Sequence, residues 1–146
     1  MTGAAAPRRV VDLATAGALC DAAVARARRQ GVLVSVAVVD AGGNLVAFQR
    51  MDGAEIAGTV LATDKAYTAV ANSIPTHELA ALSAPGGPLY GLQAAAGGRF
   101  VVFGGGVPLR EGTHIVGAVG VSGASDPADD VVCAEAAVAK AWEAEG

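Results

Sequence analysis

Asp40 closes the run VLVSVAVVD and stands before Ala-Gly-Gly-Asn. There its carboxylate can orient a ligand, act as a base, or close an Asx-type turn onto nearby N–H groups. Arg50 and Lys65 are cations that can meet a carboxylate or propionate. Either can instead form an internal salt bridge, for instance Lys65 with Asp40. Ala62, Ala66 and Ala69 surround Lys65 with small side chains, which lets a ligand or neighbour approach closely; a snorkelling lysine has the same surroundings. Gly104, Gly105 and Gly106 precede a strand and not a helix, so they form neither a P-loop nor a dinucleotide fingerprint. Close backbone approach to a ligand, or a β-bulge, remains. His77, after Thr76 at a helix start, reads first as an ordinary exposed histidine and second as a ligand or a base.

Other chemistries find no support. HExxH, EF-hand and paired CxxC patterns are absent, so no metal site is expected. His114, at a strand start, reads first as a solvated strand end and stays only as an alternative iron ligand. Cys20 and Cys133 fall on separate predicted helices and read as buried, inert thiols. Ser122 and Ser125 lack the strand-turn-helix of a GxSxG nucleophile. With a net charge of −4 and a single basic cluster, Arg26, Arg28 and Arg29, at a helix end, nucleic-acid binding is not expected.

The elements that must position these residues follow from pattern. Asp12 caps a helix whose apolar positions, Leu13, Gly17, Cys20, Val24 and Ala27, recur at helical spacing until Gly31 stops it. Residues 32–40 are β-branched on both faces, as in a central strand, and residues 45–50 pair with them as a hairpin. Residues 54–71 predict a helix with Ile56, Val60, Thr63, Tyr67 and Val70 on one face, and Thr76 caps a short helix through Leu82. Gly- and Pro-rich residues 83–98 resist regular structure. Strands follow at residues 100–103, 107–110 and 115–122, and Asp126-Pro127, with Asp129 and Asp130 behind it, starts a final helix. This order predicts an α+β fold with roughly five antiparallel strands flanked by helices.

At 146 residues the chain suits one core. Its hydrophobic fraction of 53% against 16% charged leaves little polar surface, which predicts a homo-oligomer, a dimer or higher. No apolar run is long enough to span a bilayer and the start lacks a secretory pattern, so the expected compartment is the cytoplasm. Residues 1–9 are expected to be a flexible tail and residues 10–146 one domain.

Three blocks resemble the GlcG/HbpS-like family, also called the haem-degrading-domain family: VAVVDAGGNLVAFQRMDGA from Val36, TDKAYTAV from Thr63, and FGGGVPLREGTHIVGAVGVSG from Phe103. The resemblance implies a profilin-like fold, a five-stranded antiparallel sheet with helices on both faces, and assembly into dimers or octamers. It implies an aspartate at the Asp40 position in relatives and haem binding by some members. In the PduO-type members the iron takes a histidine from the first helix, whereas this chain has none between Asp12 and Gly31. The expected function is thus an oligomer binding a small ligand, haem or another flat carboxylate-bearing molecule, through Asp40, Arg50, Lys65 and Gly104 to Gly106. The alternative is a cofactor-free enzyme, an isomerase, lyase or cyclase, using Asp40 or His77 as base and Lys65 to stabilise charge. A purely structural or partner-binding oligomer is the third possibility.

Overall fold

The computed structural model describes residues 10–142; the tail expected at residues 1–9 lies outside them. The chain has an α+β fold built on a four-stranded antiparallel sheet in the order β2-β1-β4-β3. The strands are β1 (Ser35–Asp40), β2 (Leu45–Arg50), β3 (Gly106–Glu111) and β4 (His114–Ser122). Helices α1 (Leu13–Gln30) and α4 (Pro127–Ala137) cover one face, and α2 (Ala57–Asn72) covers the other. A short helix, α3 (Thr76–Leu82), follows α2, and a π-helical turn, Val138–Trp142, extends α4.

Helix α1 begins where the sequence places it, because the Asp12 carboxylate accepts the Thr15 N–H at 2.8 Å. It ends at Gly31, which takes the left-handed conformation and returns its N–H to the carbonyls of Ala27 and Arg28. Its buried face is rotated from the expected one: Ala16, Leu19 and Ala23 join Cys20, Val24 and Ala27 in the core, while Leu13 is 70% exposed. The same correction applies to α2, whose inward residues are Gly58, Ala62, Lys65, Ala66, Thr68 and Ala69, leaving Ile56 at 83% exposure. The cause is a notch in the sheet. Gly106 pairs with Gly120 across β3 and β4; a Cβ on Gly120 would strike the Ala62 carbonyl, and one on Gly106 the Lys65 carbonyl. Backbone seats on backbone there, so only small side chains fit beneath α2.

Residues 100–103 are not a strand. The Val101 N–H donates to Thr68 Oγ1 at 3.0 Å, and Phe100 stacks on Tyr67 at 6.1 Å between ring centroids, so the segment is tied to α2 and leaves the sheet with four strands. Thr76 lies inside α3 and does not cap it; its hydroxyl accepts the Gly106 N–H at 2.9 Å, pinning the start of β3.

Gly120→Ala forces its methyl into the backbone of α2. We expect a stability loss of about 3 kcal/mol, seen as a lower urea midpoint; an unchanged midpoint would show that α2 does not seat in the notch.

Candidate functional site

Side chains on a helix lean toward its amino end. Lys65, midway along α2, therefore reaches back past Gly105 to the end of β4, with no exposed surface. Its amine donates to the Val121 carbonyl at 3.0 Å, to Ser122 Oγ at 3.2 Å and to Asp130 Oδ2 at 3.1 Å. Three donors meet three acceptors, so the ammonium is fully satisfied. Gly105 makes room: a Cβ there would lie 2.9 Å from the Lys65 amine, and its φ of 134° is one that residues with side chains rarely adopt. The Phe103 ring lies over the amine, its centroid 4.8 Å away.

Asp130 comes from α4, on the opposite face of the sheet. Its Oδ1 accepts the Ala124 N–H at 3.0 Å, so one carboxylate ties α4, the segment after β4 and α2 together. Burial pulls the Lys65 amine below its ordinary range, with Asp130 acting in the other direction, and burial likewise pushes the Asp130 carboxyl up against the pull of Lys65. Sequence reasoning treats Asp130 only as an acid complementing the start of α4. The missed signal is its phase: Asp130, Cys133, Ala134 and Ala137 are the buried residues of that helix, so the acid shares its inward stripe.

Directly outside Phe103 lies a hollow of about 430 Å³, lined by Phe103, Gly104, His77, Ala80, Asp126, Pro127, Ala128 and Val131. The structure thus gathers Lys65, Gly104, Gly105, Gly106 and His77 at one end of the sheet. It does not bring Asp40 there. Asp40 pairs with Gly117, five residues along β1 from the Ser35 to Ser122 pair beside the amine, a separation of about 17 Å at the rise of a strand. Its Oδ1 accepts the N–H groups of Gly42 and Asn44 at 2.9 and 3.0 Å, which is the turn role. The internal salt bridge foreseen for Lys65 therefore forms with Asp130 in place of Asp40. Arg50 donates to the Ala54 carbonyl at 2.7 and 3.2 Å and borders a separate hollow of about 320 Å³ with Arg28, Gln49 and Met51. His114 is exposed at the β3 to β4 turn.

Burial pushes the Cys20 thiol up to about 12 and the Cys133 thiol to about 11, so both stay protonated and inert. Among the described residues no group of three or more His, Cys, Asp or Glu side chains could hold a metal ion, and no helix is long and apolar enough to cross a membrane.

The family model described as haem degrading protein HbpS-like matches residues 11–139. The chain belongs to the HbpS-like family. Within it, the chain is 42% identical over 113 residues to an uncharacterized 15.0 kDa protein of the dhaT-dhaS intergenic region of Citrobacter freundii, covering 77% of this chain and 80% of that one. The crystal structure of Klebsiella pneumoniae protein ORFY superposes with a TM-score of 0.87 at 34% identity, covering 94% of this chain and 96% of that one. The crystal structure of the PduOC:heme complex superposes with a TM-score of 0.85 at 38% identity, covering 90% of this HbpS-like chain and 94% of the other.

Removing one partner of a buried ion pair strands the other charge. Asp130→Ala should cost about 3–5 kcal/mol, and Lys65→Met with Asp130→Leu should recover most of it, because two apolar groups leave no buried charge. Denaturant unfolding of the three proteins measures this; a double variant no more stable than the single one would contradict it.

Proposed function

We propose that this HbpS-like chain is a small-ligand-binding protein that holds a flat, largely apolar ligand against Phe103, haem being one such ligand. The observation that carries this reading is the hollow outside the Lys65 and Asp130 pair. Its volume of about 430 Å³ and its lining of Phe103, Ala80, Pro127, Ala128 and Val131 with few polar groups fit a small-molecule site. A relative solved as a heme complex supports haem as the first ligand to try.

The chain's own residues fit haem in one respect and not in another. Helix α1 reads LATAGALCDAAVARARRQ and offers no histidine. His77, at the hollow, is exposed and provides an imidazole, the commonest protein ligand of haem iron. Among the described residues no cation lines the hollow to meet the propionates, since Lys65 is committed to Asp130 and the charge at the hollow is Asp126. Bound haem would supply redox-active iron, with His77 holding it and Phe103 and the apolar lining packing against the ligand. A ligand held chiefly by its carboxylates would instead suit Arg28 and Arg50 in the second hollow.

Acid/base catalysis without a cofactor is favoured by one observation, the drift of Lys65 and Asp130 toward their neutral forms behind the wall of the same hollow. In that reading His77 and Lys65 act, and Asp40 keeps its turn. Either way the chain works in the cytoplasm as a homo-oligomer; Ile56 just before α2 and Val60 within it, 83% and 62% exposed, offer apolar surface that a second copy would cover.

Haem titration followed at the Soret band tests the proposal. The natural chain should saturate, His77→Ala should bind roughly tenfold more weakly or worse, and Arg50→Ala should bind like the natural chain. A natural chain with no saturable Soret shift, or His77→Ala binding unchanged, would overturn it.

A further inference from the structure

A lysine serving only as a structural tie needs acceptors and a dry environment. Lys65 has both, yet one of the side chains over the amine is partly open to solvent. That side chain is Phe103, 40% exposed, whose ring covers the amine at 4.8 Å and also forms a wall of the hollow. The backbone behind it, Gly104 to Gly106, is buried and held by the Val121 and Thr76 bonds, so the ring swings aside by rotation about its own side-chain bonds toward solvent. Gly105 presents no Cβ to the amine, and one there would crowd it at 2.9 Å. A proton acceptor, Asp130, sits 3.1 Å from the nitrogen, with the Ser122 hydroxyl at 3.2 Å.

We propose that Lys65 is a carbonyl-capturing amine, which a small apolar aldehyde or ketone entering the hollow reaches when Phe103 swings away, to form an imine on Nζ. The inference rests on the hollow being a ligand site, as argued above. The ammonium first passes one proton to the Asp130 carboxylate, leaving a neutral amine beside a neutral acid. The nitrogen lone pair then attacks the carbonyl carbon; the C–N bond forms as the C=O π pair moves to oxygen, which takes up the proton that the nitrogen loses. The carbinolamine hydroxyl next leaves as water with the proton from Asp130, and the nitrogen lone pair forms the C=N bond. The balance is ammonium plus carbonyl giving iminium plus water, with Asp130 returned to its carboxylate. Burial, which draws the amine down and the acid up, favours the first transfer.

The chain has two lysines, Lys65 and Lys140, which makes the test direct. The full-length protein is incubated with benzaldehyde and sodium cyanoborohydride, and peptide masses locate the benzyl adduct. The adduct is expected on Lys65, formed faster than on the exposed Lys140, abolished in Lys65→Met, and faster still in Phe103→Ala, whose folding is checked by its thermal midpoint. Labelling confined to Lys140 and the amino terminus in both the natural chain and Phe103→Ala would overturn the proposal. Haem titration of the same preparation separates the two readings: a Soret shift without a Lys65 adduct sinks only the imine, and an adduct without a Soret shift sinks only haem.

Discussion

One buried ion pair ties the two faces of the sheet together at one end. Lys65 descends from α2 on one face of the sheet, Asp130 rises from α4 on the other, and they meet 3.1 Å apart beyond the last residues of β4. A buried charge without its counter-charge is costly, so neither helix can shift without exposing the other's partner to an apolar interior. The triple glycine, the Phe103 ring and the segment bonded to Asp130 through Ala124 are all arranged around that pair. The hollow is the outer side of the same arrangement.

The sheet makes this possible by what it lacks. Gly106 and Gly120 clear a notch that lets the backbone of α2 sit on the backbone of two strands. Only that close seat lets a mid-helix lysine reach the Val121 carbonyl. A helix held off by ordinary side chains, ~10 Å from the sheet, would leave the amine short of its acceptors. Fold and site are therefore linked through the same few glycines, two of which lie in the run already conspicuous in the sequence.

Much of this was legible from residues. The hairpin of β1 and β2, the caps at Asp12 and Asp126 and the stop at Gly31 rest on local chemistry, and local chemistry survives folding. The three blocks of family resemblance led to the family itself. What failed is what depends on partners distant in sequence. The periodicity of α1 leaves its face open by a rotation that brings in Ala16, Leu19 and Ala23, and on α2 the larger apolar residues suggest one face whereas the sheet selects the small ones. Residues 100–103 look like a strand by composition, yet Thr68 and Tyr67 capture them. Lys65 and the glycine run stand out in the sequence by residue type, and the structure places Gly105 against the Lys65 amine. Asp40, drawn to them by residue type alone, sits at the far end of β1, and the acid that does meet Lys65 was read as a helix-start residue.

The central claim is that the Lys65 amine is dry and paired. Nitrogen-detected NMR of the two lysine side chains across a pH series observes it directly. The account predicts one ammonium signal sheltered from water exchange, coupled to the Asp130 carboxyl and titrating below the ordinary lysine value of about 10.4, beside a second, freely exchanging signal from exposed Lys140. Two signals that both exchange freely and titrate at the ordinary value would contradict it.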